Sequence, residues 1–76
     1  MKNRIYVNTN VLAKHIPHGV EIMWVSPYGD QYAVKEFMHN GSGEAYISFQ
    51  NPTMWVHYLT PDDLFTISAE DAAKYL

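Results

Sequence analysis

The chain has 76 residues, of which 47% are hydrophobic, 14% aromatic and 17% charged, with a formal charge of −3 and no cysteine. The composition is too apolar for an intrinsically disordered protein. The chain is too short for two domains, and without cysteine it cannot form a disulfide. No apolar run approaches the roughly 20 residues of a membrane-spanning helix, and no secretory signal follows the N-terminal basic residues. The sequence therefore predicts a single domain over residues 1–76, cytoplasmic and without a membrane partner.

Turn-forming residues recur at short intervals and separate runs rich in β-branched and aromatic side chains. This spacing is typical of antiparallel strands joined by hairpins, and Asn40-Gly41 is a strong hairpin signal. The predicted strands are Arg4–Asn8, Val20–Ser26, Tyr32–Met38, Glu44–Phe49, Met54–Leu59 and Leu64–Ile67.

The third predicted strand contains a break in its alternation of inward and outward side chains. Tyr32 and Val34 share one face, and the charged pair Lys35 and Glu36 then precedes Phe37. A β-bulge at this pair would add one residue and return Phe37 to the inward face.

Two short helices are also predicted, over Val11–Ile16 and Ala69–Leu76. Thr9 or Asn10 is expected to cap the first helix, and Pro17 to end it, because the residue before a proline avoids the helical region. Ser68 begins a near-match to a capping box at the start of the second.

The order of these elements favours a mostly β (β-rich α+β) domain. Five strands follow an N-terminal strand and helix, and Pro61, Asp62 and Asp63 form a turn before the last strand. This arrangement predicts a small five-stranded antiparallel SH3-like barrel with a short C-terminal helix. The alternative is an open antiparallel sheet packed by two short helices.

The sequence predicts no catalytic residue, no metal site and no cofactor. His15 and His18 are close in sequence, but Pro17 separates them and no cysteine completes a zinc-ligand set. Asp62 and Asp63 follow Thr60-Pro61 and favour a capped turn over acid–base chemistry. We therefore expect a protein that is not an enzyme.

The aromatic residues are the most informative feature of the sequence, since two Trp, six Tyr and three Phe exceed what one small core needs. The strand alternation predicts core positions at Phe37, Phe49, Tyr58 and Phe65. The predicted partner-binding surface consists of Trp24, Tyr28, Tyr46 and Trp55, with Asp62 and Asp63 as an acidic rim. Aromatic and methionine side chains are enriched in protein interfaces. On this interpretation, Trp55→Ala or Trp24→Ala abolishes partner binding and leaves the fold intact.

The sequence thus predicts a small binding module that docks onto another protein, an inhibitor or adaptor of phage or mobile-element type. Self-association into a homodimer through the same surface is the nearest variant. The alternative function is binding of single-stranded nucleic acid on a small barrel, with bases stacked on exposed aromatic rings. Five basic against eight acidic residues disfavour a nucleic-acid partner.

Overall fold

The structure, a computed structural model, describes residues 3–39, 44–49 and 55–76, the side chain of Trp55 excepted. Most of the elements are short strands, as the spacing of the turn-forming residues predicts. In chain order the elements are β1 (Arg4–Asn8), α1 (Thr9–His15), β2 (Met23–Val25), β3 (Gln31–Ala33), β4 (Glu36–His39), β5 (Ala45–Phe49), β6 (Trp55–Leu59), β7 (Leu64–Ser68) and α2 (Ala69–Tyr75).

These strands form two antiparallel sheets, a first sheet of order β1-β7-β2-β3 and a second sheet of order β4-β5-β6. The predicted mostly β class with two short helices is confirmed. The described strands number seven because the predicted strand Tyr32–Met38 is divided between the sheets. The sheets are not closed, so the predicted five-stranded barrel is not confirmed. The hairpin turn at Asn40-Gly41 and the strand start at Met54 lie outside the described residues.

The division occurs at the charged pair where the sequence predicts a bulge. The Val34 N–H donates to the Ile22 carbonyl at 3.2 Å, whereas the Lys35 N–H donates to the Ser48 carbonyl at 2.9 Å. Ser48 is also the register partner of Glu36, so Lys35, directly before β4, and Glu36, its first residue, oppose one residue of β5. This two-against-one pairing is a β-bulge, and it carries the chain from the first sheet into the second.

The core lies between the inner faces of the two sheets, and β5 shows how the sequence specifies it. Ala45, Ile47 and Phe49 are buried, as their alternation predicts. Of the other predicted core residues, Phe65 is buried and Phe37 is half-buried against the core. Among the described residues, the buried apolar side chains are those of Val7, Leu12, Ile22, Trp24, Ala45, Ile47, Phe49, Phe65 and Ile67.

The prediction that Tyr58 belongs to the core is wrong, because its side chain is 76% exposed. β6 is apolar on both of its faces, so alternation alone cannot decide which one turns inward. The register decides it: Tyr58 pairs with the outward-facing Tyr46, while His57 and Leu59 are half-buried.

The helix ends are set by local hydrogen bonds. The Asn8 Oδ1 accepts the Val11 N–H at 2.9 Å, so Asn8 caps α1 and the prediction of Thr9 or Asn10 is wrong. Ile16, before Pro17, is extended and ends α1 as predicted. Ser68 caps α2 as predicted, its hydroxyl accepting the Asp71 N–H. Neither described helix is long and apolar enough to cross a membrane.

Candidate interaction surface

The outer face of the second sheet presents large apolar side chains to solvent. The register places Met38, Tyr46 and Tyr58 side by side across β4, β5 and β6. The adjacent row on the same face consists of Glu36, Ser48 and Val56. We call these six residues the tyrosine face.

Four of these side chains are large, apolar and substantially exposed: Tyr58 (76%), Val56 (49%), Met38 (39%) and Tyr46 (37%). The Tyr46 and Tyr58 rings are in contact, with centroids 5.9 Å apart and planes inclined at 56°. Tyrosine and methionine offer large contact area, and tyrosine loses little conformational freedom when it is buried. Because these side chains are neighbours across the three strands, they form a continuous apolar patch and not a set of scattered residues.

The opposite side of the same sheet anchors this surface to the core. Ile47, between Tyr46 and Ser48 in β5, is fully buried. Phe37, next to Met38 in β4, packs edge-on against Phe65 with ring centroids 6.0 Å apart. The backbone of the tyrosine face is therefore held in place by the inward residues, since successive side chains in a strand point to opposite faces.

The charge on the tyrosine face is negative. Glu36 is the one charged residue among the six, and no lysine or arginine occupies any of these positions. Phosphate recognition needs clustered basic side chains, which these six residues do not supply.

Trp24, predicted as a surface residue, lies in the core. It is 7% exposed, and its ring contacts those of Phe49, His57 and Tyr32 at centroid distances of 5.8, 4.7 and 6.0 Å. The prediction that Trp24 is exposed is wrong. β2 lies between β7 and β3 in the first sheet, and Trp24 is the register partner of Phe65, which faces the core.

The two carboxylates of the predicted acidic rim have different environments. Asp63 accepts the Thr60 N–H at 2.7 Å through Oδ2 and the Trp24 indole N–H at 3.3 Å through Oδ1. Its Oδ1 also lies 3.8 Å from the Nε2 of His57. Asp63 therefore fixes the turn before β7 and orients Trp24, whereas Asp62 is exposed in the same turn.

Replacement of Asp63 by alanine is expected to destabilise the protein by about 1–3 kcal/mol, because two N–H donors lose their acceptor. Asp62→Ala is the matched control, and its effect is expected to stay within about 0.5 kcal/mol. Urea unfolding followed by far-UV circular dichroism measures both values. Equal unfolding midpoints for the two variants would contradict a structural role for Asp63.

The remaining predicted site residues are not all brought together. Tyr46 lies on the tyrosine face, whereas Tyr28 is 92% exposed in the turn after β2. Trp55 begins β6 opposite Phe49, and its part in binding stays a prediction. The sequence alone does not identify Val56 and Tyr58 as surface residues, although alternation places them on the same side of β6. The missing signal was the register with β5.

The outer face of the first sheet is less suited to docking, although it exposes Tyr6 and Leu64. A line of polar contacts crosses it: Arg4 donates from Nε to the Thr66 Oγ1 at 2.8 Å and from a terminal nitrogen to the Thr66 carbonyl at 2.7 Å. The Thr66 hydroxyl in turn donates to the Gln31 Oε1 at 2.8 Å. These contacts place the polar side chains of Arg4, Thr66 and Gln31 among the apolar residues of this face.

Comparisons of the chain with protein-family models, with curated proteins and with solved structures find no match. The function proposed below therefore depends on the geometry and chemistry of the tyrosine face. Three properties of that face matter: the exposure of its aromatic residues, its attachment to the core and its negative charge.

Proposed function

We propose that this protein is a non-enzymatic binding module that docks onto another protein through the tyrosine face. The observation that carries the proposal is the side-by-side exposure of Met38, Tyr46, Val56 and Tyr58 on a sheet whose other side is buried. Burial of tyrosine side chains at the centre of an interface is a frequent source of binding energy.

The charge of the face and of the chain defines the chemistry of the partner. Glu36 lies beside the apolar residues, Asp62 is exposed in the turn after β6, and the chain carries a net charge of −3. A fitting partner presents an apolar patch flanked by lysine or arginine. A domain of this size that binds through one face acts by covering a surface of its partner, as an inhibitor or adaptor of phage or mobile-element type.

We also propose that the two sheets form a small SH3-like barrel. Two contacts support this architecture. Residues 31–39 run from the first sheet into the second through the bulge. The Thr9 hydroxyl, directly after β1, donates to the Thr60 carbonyl, directly after β6, at 2.8 Å, and so links the outermost strands of the two sheets.

The alternative function, binding of single-stranded nucleic acid, is favoured by one observation. Exposed tyrosine rings such as Tyr46 and Tyr58 are suitable platforms for stacked bases. The electrostatic half of such a site is not found on the tyrosine face, where the charged residue is Glu36. The protein-docking proposal therefore has the better support.

The test is affinity capture with the tagged full-length chain from a lysate of the source organism, with and without nuclease and at low and moderate salt. We expect a protein in stoichiometric yield that is indifferent to nuclease and only weakly sensitive to salt. Recovery that disappears with nuclease, or falls steeply with salt, would replace the proposal by the nucleic-acid alternative. Sedimentation of the purified chain over a concentration series identifies a homodimer.

A further inference from the structure

A cleft of about 410 Å³ lies beside β4, between this strand and the segment that connects α1 to β2. The two chain segments are joined by the hydrogen bond from the Val34 N–H to the Ile22 carbonyl. Beyond this hydrogen bond the two segments continue and form the walls of the cleft. One wall consists of residues 16–21 and the other of residues 35–39. The cleft is therefore a gap between β4 and a connecting segment that turns at His18 and Gly19.

The floor of the cleft is apolar. Leu12 and Ile22, which line it, are core residues that are nearly completely buried. Ile16, Val20 and Phe37 are half-buried and pack against the same core. Such a floor accommodates apolar side chains of a ligand.

One wall of the cleft is an edge strand. Within the described residues β4 pairs with β5 alone and is the outermost strand of its sheet. The N–H groups of Val34 and Lys35 donate to opposite neighbours, Ile22 and Ser48. The edge of β4 that is turned away from β5 thus faces the cleft. An unpaired strand edge is a template for an added strand.

The charged residues of the cleft define the added strand further. Glu21, Glu36 and Lys35 are among the residues that line it. Because the two carboxylates outnumber the one ammonium group, the cleft favours an occupant with basic residues. Glu36 and Met38 belong to the cleft and to the tyrosine face alike. A partner seated on the tyrosine face can therefore extend a segment into the cleft.

We propose that the cleft receives an extended segment of the partner, which adds to β4 as an extra strand. Alternate residues of this segment are apolar and enter the floor, while the residues between them include lysine or arginine near Glu21 and Glu36. This inference rests on the proposed function, since the segment belongs to the protein that binds the tyrosine face.

The probe is the capped peptide acetyl-Val-Lys-Val-Arg-Val-Lys-Val-amide, titrated into the isotope-labelled full chain and followed by NMR. We expect shifts of the amides of residues 36–39 and slower hydrogen exchange at alternate amides of that strand. Two N-methylated peptides, one for each edge of the extended chain, are the controls. One of the two is expected to lose binding, because N-methylation removes the main-chain donors on that edge.

Charge is tested on both sides of the interface. In one experiment the wild-type protein is titrated with a peptide that has glutamate in place of lysine and arginine. In the other, the Glu21→Lys variant is titrated with the original peptide. Binding in each case is expected to be at least about threefold weaker than that of the wild type with the original peptide. Glu70→Lys is the control, since Glu70 is exposed on α2 and does not line the cleft. It is expected to leave the affinity unchanged.

Three results would overturn the strand-addition proposal: no shifts at millimolar peptide, equal binding of both N-methylated peptides, or protection of the same amides by the protein alone as its concentration rises. The last result would identify a second copy as the occupant. If the peptide binds but no partner protein is captured, the proposed function is refuted. If a partner protein is captured but the peptide does not bind, only the strand addition is refuted.

Discussion

Replacement of Trp24 by alanine is expected to leave about half or more of the protein unfolded at 25 °C. Loss of a buried tryptophan side chain costs about 3–5 kcal/mol through lost burial and the cavity that remains. A domain of this size without disulfides has a total stability of only about 3–5 kcal/mol. The two quantities are of equal size, so the variant has little or no stability left.

The surroundings of Trp24 explain why its loss is severe. Its ring lies between the inner faces of the two sheets and contacts Phe49 of β5 and His57 of β6. Its indole N–H also ties β2 to Asp63 in the turn before β7. Removal of this one side chain therefore weakens the contact between the sheets and the turn that leads from one sheet into the other.

Urea unfolding followed by far-UV circular dichroism tests this expectation. Trp24→Phe keeps a ring and loses the N–H, so it is expected to cost less than Trp24→Ala and to separate packing from the hydrogen bond. Tyr28→Ala is the control at an exposed position, expected to stay within about 0.5 kcal/mol of the wild type. A folded Trp24→Ala protein that fails to capture a partner would restore the interpretation of Trp24 as a binding residue.

The sequence predicts most of this fold wherever one face of a strand is clearly more apolar than the other. In β5 the inward Ala45, Ile47 and Phe49 alternate with the outward Tyr46 and Ser48, and the structure confirms this assignment. The bulge was also predictable, because a charged pair in an otherwise apolar strand cannot keep its alternation in register with a buried face.

The sequence could not assign strands that are apolar on both faces. Trp24 in β2 lies between Met23 and Val25, and Tyr58 in β6 lies between His57 and Leu59. Neither pair of neighbours fixes an inward face, so the facing of both residues depends on which strands pair with them. Pairing with Phe65 places Trp24 inside, and pairing with Tyr46 places Tyr58 outside. This long-range information carries no local signature in the sequence.

The helix cap shows the same dependence on tertiary contacts. Asn8, Thr9 and Asn10 are all good capping residues, and the local sequence does not distinguish them. Thr9 is buried and uses its hydroxyl to bond the Thr60 carbonyl, a contact across the fold. Asn8 remains to accept the N–H of Val11.

The double substitution of Tyr46 and Tyr58 by serine is expected to abolish capture of the partner while the protein stays folded. Truncation of a tyrosine at the centre of an interface costs about 2 kcal/mol or more, which is roughly 30-fold in Kd for each residue. Both side chains lie on the outer face, so the loss of their mutual contact lowers stability by only about 1 kcal/mol or less.

Tyr6→Ser with Tyr28→Ser is the matched control for this experiment. It makes the same two chemical changes at exposed positions, one on the outer face of the first sheet and one in the turn after β2. Circular dichroism is expected to show both double variants folded, and capture yield from the same lysate then compares them. Loss of capture by the control but not by the Tyr46 and Tyr58 variant would place docking at the first sheet or its turn. Since both variants remove the same groups, a difference in capture reports only where on the molecule the partner binds.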